Sequence, residues 1–485
     1  MGVRHPHPLA RRLDHGDNPT RALPFSVECP RPRAFIAIPP RRRFLTMNRA
    51  RRMSLLDACA LVPLDRLQRT AWTAMAVTVS VLLAACSSPV QLMPTPVKFT
   101  TGQVDPFAHK AAADTTAIPL LYATNRAVFL ESRQPFYSIF PSDTLRLGVA
   151  KVQIGDGTLD WDQLRQLSTS DSQRGRPVLS LERMEELVAL GPQSDAESSP
   201  EAQAYFALIN DALAVSRHRD LIIYVHGFNN AVWRGTAQAA QFHHFTGRQA
   251  VVLVFLWPSA ASLLAYATDV RAARQSVPAF ARLIELLARN TNAEHINVLA
   301  FSAGARIASE GLATLAQPKN GETREALRAR LRLGQIYFAA PDEDTYRFVT
   351  DLRQYIDLTE RVSLGANLDD RALRFAARHQ RASRAGRPSA DDLTEEQVRF
   401  INAASQQLNF DMIWVDPRAI PDLNRREHSF WFGNAWVSSD VLMQFLWHKA
   451  PAERGLQEGY TQQGMRFWTF PPDYEQRVKA LMLTR

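Results

Sequence analysis

Several short, almost wholly apolar runs punctuate the middle of the chain and constrain its fold more than anything else in it. They are Leu221-Ile222-Ile223-Tyr224-Val225, Val251-Val252-Leu253-Val254-Phe255-Leu256, Ile296-Asn297-Val298-Leu299-Ala300-Phe301 and Gln335-Ile336-Tyr337-Phe338-Ala339-Ala340. Each is rich in β-branched and aromatic residues and is too short for a typical helix. A strand without polar alternation must be covered on both faces. Shorter runs at Arg361–Ala366 and Phe410–Val415 extend the series. Between the runs lie helical patterns, such as Val277, Phe280, Leu283, Ile284 and Leu287, with Ser276 read as N-cap and Pro278 in the first turn. Strands alternating with helices over about 200 residues predict an α/β chain, with a mostly parallel central sheet and helices on both faces. Leu120 to Ile154 reads as edge strands or a small N-terminal β-rich lead-in, and the polar stretch Leu167 to Pro200 as a loop with a short helix.

In such sheets the reacting groups belong in loops at the carboxyl ends of the strands. His226, Ser302, Asp342, Asp370 and His428 all fall at such ends or just after them. Ser302 lies in Ala300-Phe301-Ser302-Ala303-Gly304, an Ala-x-Ser-x-Gly pattern. A serine hydroxyl is a weak nucleophile until a sharp strand-to-helix turn presents it beside a histidine, and small flanking residues let that turn form. The first apolar run ends directly in His226-Gly227-Phe228. The backbone N–H groups of Phe228 and Ala303 are then the expected oxyanion donors. His428 would take the serine proton, and either Asp370 or Asp342 would orient the imidazole. Standing alone, Asp370 before Arg371-Ala372-Leu373 reads equally as a helix cap.

Taken together, these blocks resemble a bacterial α/β-hydrolase family of uncharacterised, esterase/lipase-like proteins. The likeness rests on Tyr224-Val225-His226-Gly227-Phe228-Asn229-Asn230, Trp257-Pro258-Ser259, Tyr266-Ala267-Thr268-Asp269, and Ile296 to Arg306 around Ser302. It continues through Ala339-Ala340-Pro341-Asp342, Asp370-Arg371-Ala372-Leu373 and His428-Ser429-Phe430, and begins at Ala123-Thr124-Asn125-Arg126 with Leu147-Gly148-Val149-Ala150. The resemblance implies the α/β-hydrolase fold and a serine hydrolase of carboxylic esters, with Ser302 as nucleophile, His428 as base and Asp370 ahead of Asp342 as the acid. The family usually carries histidine where this chain has Phe301 and methionine where it has Ala303. Phe301 is expected to point away from the reacting atom and to alter packing only. The altered acid block, Leu364-Gly365-Ala366-Asn367-Leu368, keeps a second reading open: a non-catalytic envelope lipoprotein that uses the fold for binding or assembly.

The amino-terminal region bears on location. Arg66 and Arg69 precede the apolar stretch Ala71 to Leu82, which runs into Leu83-Ala84-Ala85-Cys86-Ser87. A basic flank, a short apolar core and small residues make a secretory signal rather than a span. The Leu-Ala-Ala-Cys ending resembles a bacterial lipobox, which implies acylation of Cys86 and a lipid anchor on the periplasmic side of the outer membrane. Residues 53–86 are thus read as a lipoprotein-type signal and 87–117 as a tether. The hydrolase domain is read as 118–485, with lead-in and variable loop over 118–219 and catalytic core over 220–485.

Residues 1–52 hold 12 arginines and 3 acidic residues, so 12 − 3 = +9, which equals the whole-chain charge of +9. Residues 1–52 are read as an upstream, non-structural extension, so their charge excess is not taken to argue for a nucleic-acid partner. The three cysteines are Cys29, Cys59 and Cys86, so a chain beginning at Cys86 has no second thiol for a disulfide. No His/Cys spacing announces a metal site and no phosphate loop or dinucleotide fingerprint is present, so no cofactor is expected.

Overall fold

The computed structural model describes residues 89–100, 106–107, 115–130 and 134–483, apart from the single positions 173, 198, 320, 408 and 463. The extension, the signal segment and Cys86 lie outside the described residues. Within them run β1 (Val90–Gln91), α1 (Val97–Thr100), β2 (Ala117–Leu130), β3 (Phe136–Ile154), α2 (Trp161–Thr169), β4 (Val178–Leu190) and α3 (Pro200–Val215). The central part follows as β5 (Leu221–Val225), α4 (Val232–Phe245), β6 (Val251–Phe255), α5 (Tyr266–Asn290), β7 (Ile296–Phe301), α6 (Gly304–Leu315) and α7 (Arg324–Leu331). Then come β8 (Leu333–Ala339), α8 (Thr345–Tyr355), β9 (Thr359–Ala366), α9 (Arg371–Gln380), α10 (Glu395–Gln407) and β10 (Phe410–Trp414). The carboxyl end holds α11 (Phe430–Gly433), α12 (Ala435–Trp447), β11 (Gln457–Tyr460), β12 (Arg466–Thr469) and α13 (Tyr474–Leu483).

All these strands join one sheet, ordered β1-β4-β3-β2-β6-β5-β7-β8-β9-β10-β12-β11. Pairing is parallel from β2 across to β12. It is antiparallel at the margins, in β1·β4, β4·β3, β3·β2 and β12·β11. Alternation along each strand supplies both faces. Leu221, Ile223 and Val225 pack with Phe280, Leu283 and Ile284 of α5 and Ile307 and Leu312 of α6. Ile222 and Tyr224 pack oppositely, with Phe242 of α4 and Val441 and Phe445 of α12. Burying one such aliphatic side chain contributes about 1.5–3 kcal/mol, and a one-residue slip would exchange the two faces, so the register is strongly fixed. Among the described residues no helix is long and apolar enough to cross a membrane.

Of the two readings of Leu120 to Ile154, the edge-strand one holds, because β2 pairs in parallel with β6 and β3 follows it at the sheet margin. Three expectations change at this level. The stretch 87–117 is not wholly a tether: β1 pairs with β4, and Leu92, Met93, Val97 and Phe99 are buried. The supposed loop Leu167–Pro200 contains β4, where Glu182, Arg183, Glu185 and Glu186 interrupt the apolar residues while Leu179 and Met184 are buried, so a partly exposed strand reads as polar. Finally, α5 begins at Tyr266 rather than after Ser276. Ser276 lies inside the helix and its hydroxyl donates to the Ala272 carbonyl at 2.8 Å, while Pro278 is accommodated mid-helix.

Candidate active site

The strand order reverses at β5. The chain passes from β5 to β6 on one side and returns to place β7 on the other. The carboxyl ends of β5 and β7 therefore open onto a shared crevice, the place where open α/β sheets bind ligands. His226-Gly227 leaves one strand there and Ser302 leaves the other. Ser302 has φ +52°, left-handed backbone that a serine adopts at a cost of about 1–2 kcal/mol. The turn is held from three directions: the Ser302 N–H donates to the Ala339 carbonyl, and its carbonyl accepts from the Ala305 and Asp342 N–H groups, each at 3.0 Å. Two glycines let the loops close. A Cβ on Gly304 would lie 2.5 Å from the Val225 carbonyl oxygen, and one on Gly227 would lie 2.9 Å from the Ser302 Cβ.

His428 reaches this serine from the far side. Its Nε2 lies 2.8 Å from Ser302 Oγ and accepts the hydroxyl proton, while its Nδ1–H donates to Asp370 Oδ2 at 2.6 Å. Asp370 is fully buried and serves two partners, because its Oδ1 accepts the Leu373 N–H at 3.0 Å and so caps α9. One side chain thus both caps α9 and accepts from the His428 imidazole. Burial disfavours the charged imidazolium of His428, but the adjacent Asp370 charge and its hydrogen bond outweigh that, and its pKa rises above the ordinary 6.5.

The N–H groups expected as oxyanion donors are those of Phe228 and Ala303. Ala303 is the N-cap of α6 and has no side-chain cap, so the helix presents open N–H groups and its positive end to the serine. No hydrogen-bond partner for the Phe228 or Ala303 N–H is found among the described residues. The Gly227–Asn230 loop is braced from behind. Asn230 Nδ2 donates to the Gly227 and Phe228 carbonyls at 3.1 and 3.3 Å. The buried Arg126 guanidinium donates to the carbonyls of Asn230 and Ser259, both at 3.2 Å. Burial lowers its pKa to about 10, with Asp269 opposing. Asp269 in turn accepts from the Ser259 hydroxyl at 2.5 Å and the Ala260 N–H at 2.8 Å. In the sequence these residues appear only inside blocks that resemble the family, with no role attached; an arginine at the end of an apolar run is the available signal.

Other candidates take different places. His226 is buried and stacked on Trp257, donates through Nδ1–H to the Gly227 carbonyl at 2.8 Å, and is driven by burial to a pKa of about 3. It is therefore a neutral ring packed behind the turn. Asp342 does not meet His428 as an acid. Its carboxylate accepts from Tyr266 Oη at 2.9 Å and from Arg306 Nη2 at 3.1 Å, while its N–H anchors the Ser302 carbonyl. The Phe301 expectation needs correction: its ring lies 5.2 Å from the His428 imidazole and 5.7 Å from Phe432, so it packs against the base. The last-quarter tryptophans Trp431, Trp436 and Trp468 are buried core. The excursion after α9 walls a cavity of about 320 Å³ through Leu393, Val398 and Ile401, and none of Ser302, His428 or Asp370 lines it.

The sheet and its switch-point crevice define an α/β-hydrolase fold. Residues 201–422 match the model of a family described as "Alpha/beta hydrolase of unknown function (DUF900)", a match that supports a hydrolase in general. No curated protein and no solved structure matches the chain.

Proposed function

We propose that the protein is a serine hydrolase of carboxylic esters that works through an acyl-enzyme. The observation that carries this reading is the continuous relay from Ser302 Oγ through His428 to Asp370, at 2.8 and 2.6 Å. Ser302 attacks the acyl carbonyl as His428 accepts its proton. The Phe228 and Ala303 N–H groups stabilise the oxyanion, and His428 returns the proton to the departing alcohol. Water then repeats the sequence on the acyl-enzyme. Asp370 holds the imidazole in the Nδ1–H tautomer and stabilises its cation.

An apolar acyl portion suits the surroundings. Phe228 packs edge-on against Tyr266 at 5.3 Å, and Tyr266 against Phe375 at 6.2 Å, with Phe375 60% exposed. The β2–β3 hairpin points past the same end of the sheet, since β2 runs parallel to β6. Phe129, Phe136, Ile139 and Phe140 are exposed along it. A lipid surface is a natural neighbour for such a tip. We accordingly place the protein at the periplasmic face of the outer membrane, anchored through Cys86, with a lipid or small-molecule ester as substrate.

The test is labelling of the purified full chain with a fluorophosphonate probe. Labelling should vanish in Ser302→Ala and fall steeply in His428→Ala. A folded wild-type chain that takes no label would overturn the hydrolase reading and leave the binding-module alternative.

A further inference from the structure

At the amino ends of the parallel strands, the end of the sheet opposite Ser302, four metal-type ligands meet from distant parts of the chain. Asp220 immediately precedes β5, His295 precedes β7, Glu360 is the second residue of β9, and His448 is the C-cap of α12. His295 Nδ1 lies 2.9 Å from Asp220 Oδ1, and His448 Nε2 lies 2.7 Å from Asp220 Oδ2. The other nitrogen of each ring faces Glu360, His295 Nε2 at 3.0 Å and His448 Nδ1 at 2.9 Å. The two imidazoles stand 4.9 Å apart, and one ligand atom from each of Asp220, His295 and His448 falls within 4.8 Å of the others.

We propose that Asp220, His295 and His448 form a binding site for a divalent ion of the zinc class, with Glu360 holding the two imidazoles from outside. Bonds of about 2.0–2.2 Å to nitrogen and oxygen put tetrahedral ligand atoms about 3.3 Å apart, so the nitrogen–oxygen spacings of 2.9 and 2.7 Å need to open by about half an ångström. Two imidazole nitrogens and a carboxylate oxygen suit zinc or cobalt better than magnesium or calcium. The arrangement also supplies what such sites usually need behind the ligands: each imidazole donates its remaining N–H to a carboxylate, which fixes ring and tautomer. Glu360 does this for both rings and is itself held by Gln335 Nε2 at 3.1 Å. Gly334 leaves room for His295, since a Cβ there would come within 2.8 Å of the His295 Cβ. Asp220 is buried whereas His295 and His448 remain partly open, with side-chain exposures of 30% and 25%, so an ion has a path in and a fourth position can hold water. Local spacing could not announce this site because its members are separated by long stretches of sequence. Its position makes it a clasp joining β5, β7, β9 and α12, remote from the serine.

The experiment is calorimetric titration of the chelator-stripped full chain with Zn²⁺, with a parallel Co²⁺ titration read by visible absorption. One ion per chain is expected, with a rise in melting temperature. His448→Gly is a clean probe, because His448 has φ +52° and glycine removes the imidazole without straining the backbone. That variant and Asp220→Asn should weaken binding at least tenfold, and Glu360→Gln by about 10–100-fold. Fluorophosphonate labelling of Ser302 should be unchanged in His448→Gly. A folded wild-type chain that binds no Zn²⁺ at micromolar concentration would overturn the proposal. So would wild-type binding no tighter than that of His448→Gly, and either result would reduce the cluster to an ion-paired ring.

Discussion

Ser302 is held in a backbone conformation that glycine adopts freely, so its chemistry and its stability pull in opposite directions. Ser302→Gly should abolish probe labelling yet raise unfolding stability by about 1 kcal/mol, whereas Ser302→Ala keeps the strain and should not. Chemical denaturation of the two variants side by side checks this. His428 carries the pH dependence. Its raised pKa means that the neutral, proton-accepting imidazole is filled only above 6.5, so kcat/KM on a soluble ester should climb with pH through an apparent value above 6.5. The same shift stabilises the fold below about 6.5, and that contribution is lost as pH rises through the raised value. Asp370→Asn removes the charge that raises it, so the midpoint should move down and the rate should fall by about 10⁴-fold. Asp370→Ala should match that loss and cost a further ~1 kcal/mol of stability, because the cap on α9 goes too.

Elements show where sequence reasoning succeeded and where it stopped. The strands β5 to β8 are buried on both faces, so their unbroken apolar runs are self-announcing. β4 is not, since an antiparallel strand with one wetter face interrupts its apolar residues with charged ones, here Glu182, Arg183, Glu185 and Glu186. Serine, histidine and both acid candidates could be placed at strand ends, but the choice between Asp370 and Asp342 turns on side-chain direction, which no one-dimensional pattern contains. Asp342 is absorbed by Arg306 and Tyr266, and only the fold shows that. The β2–β3 hairpin carries its own prediction. Replacing Phe129, Phe136 and Phe140 together with serine should lower hydrolysis of an ester presented in vesicles several-fold and leave a short soluble ester untouched. Equal losses on both substrates would make the tip a structural part of the crevice instead.

The molecule as a whole separates reaction from reinforcement. The serine relay lies at the carboxyl end of the parallel strands, and the Asp220–His295–Glu360–His448 cluster at the amino end. Destabilising one end by substitution should therefore leave the other chemically intact so long as the sheet survives. The reversal of strand order at β5 has a kinetic side as well. Gly227 and Ser302 are 302 − 227 = 75 residues apart, and they meet only when β7 pairs beside β5. Closing so long a loop before any contact rewards it is slow compared with forming helices. During refolding, helical circular dichroism should return before probe reactivity does. On the proposed function, Ser302 would then be a clock on the sheet: it would start to react only when β5 and β7 have paired, and a chain stalled short of that step would stay chemically silent.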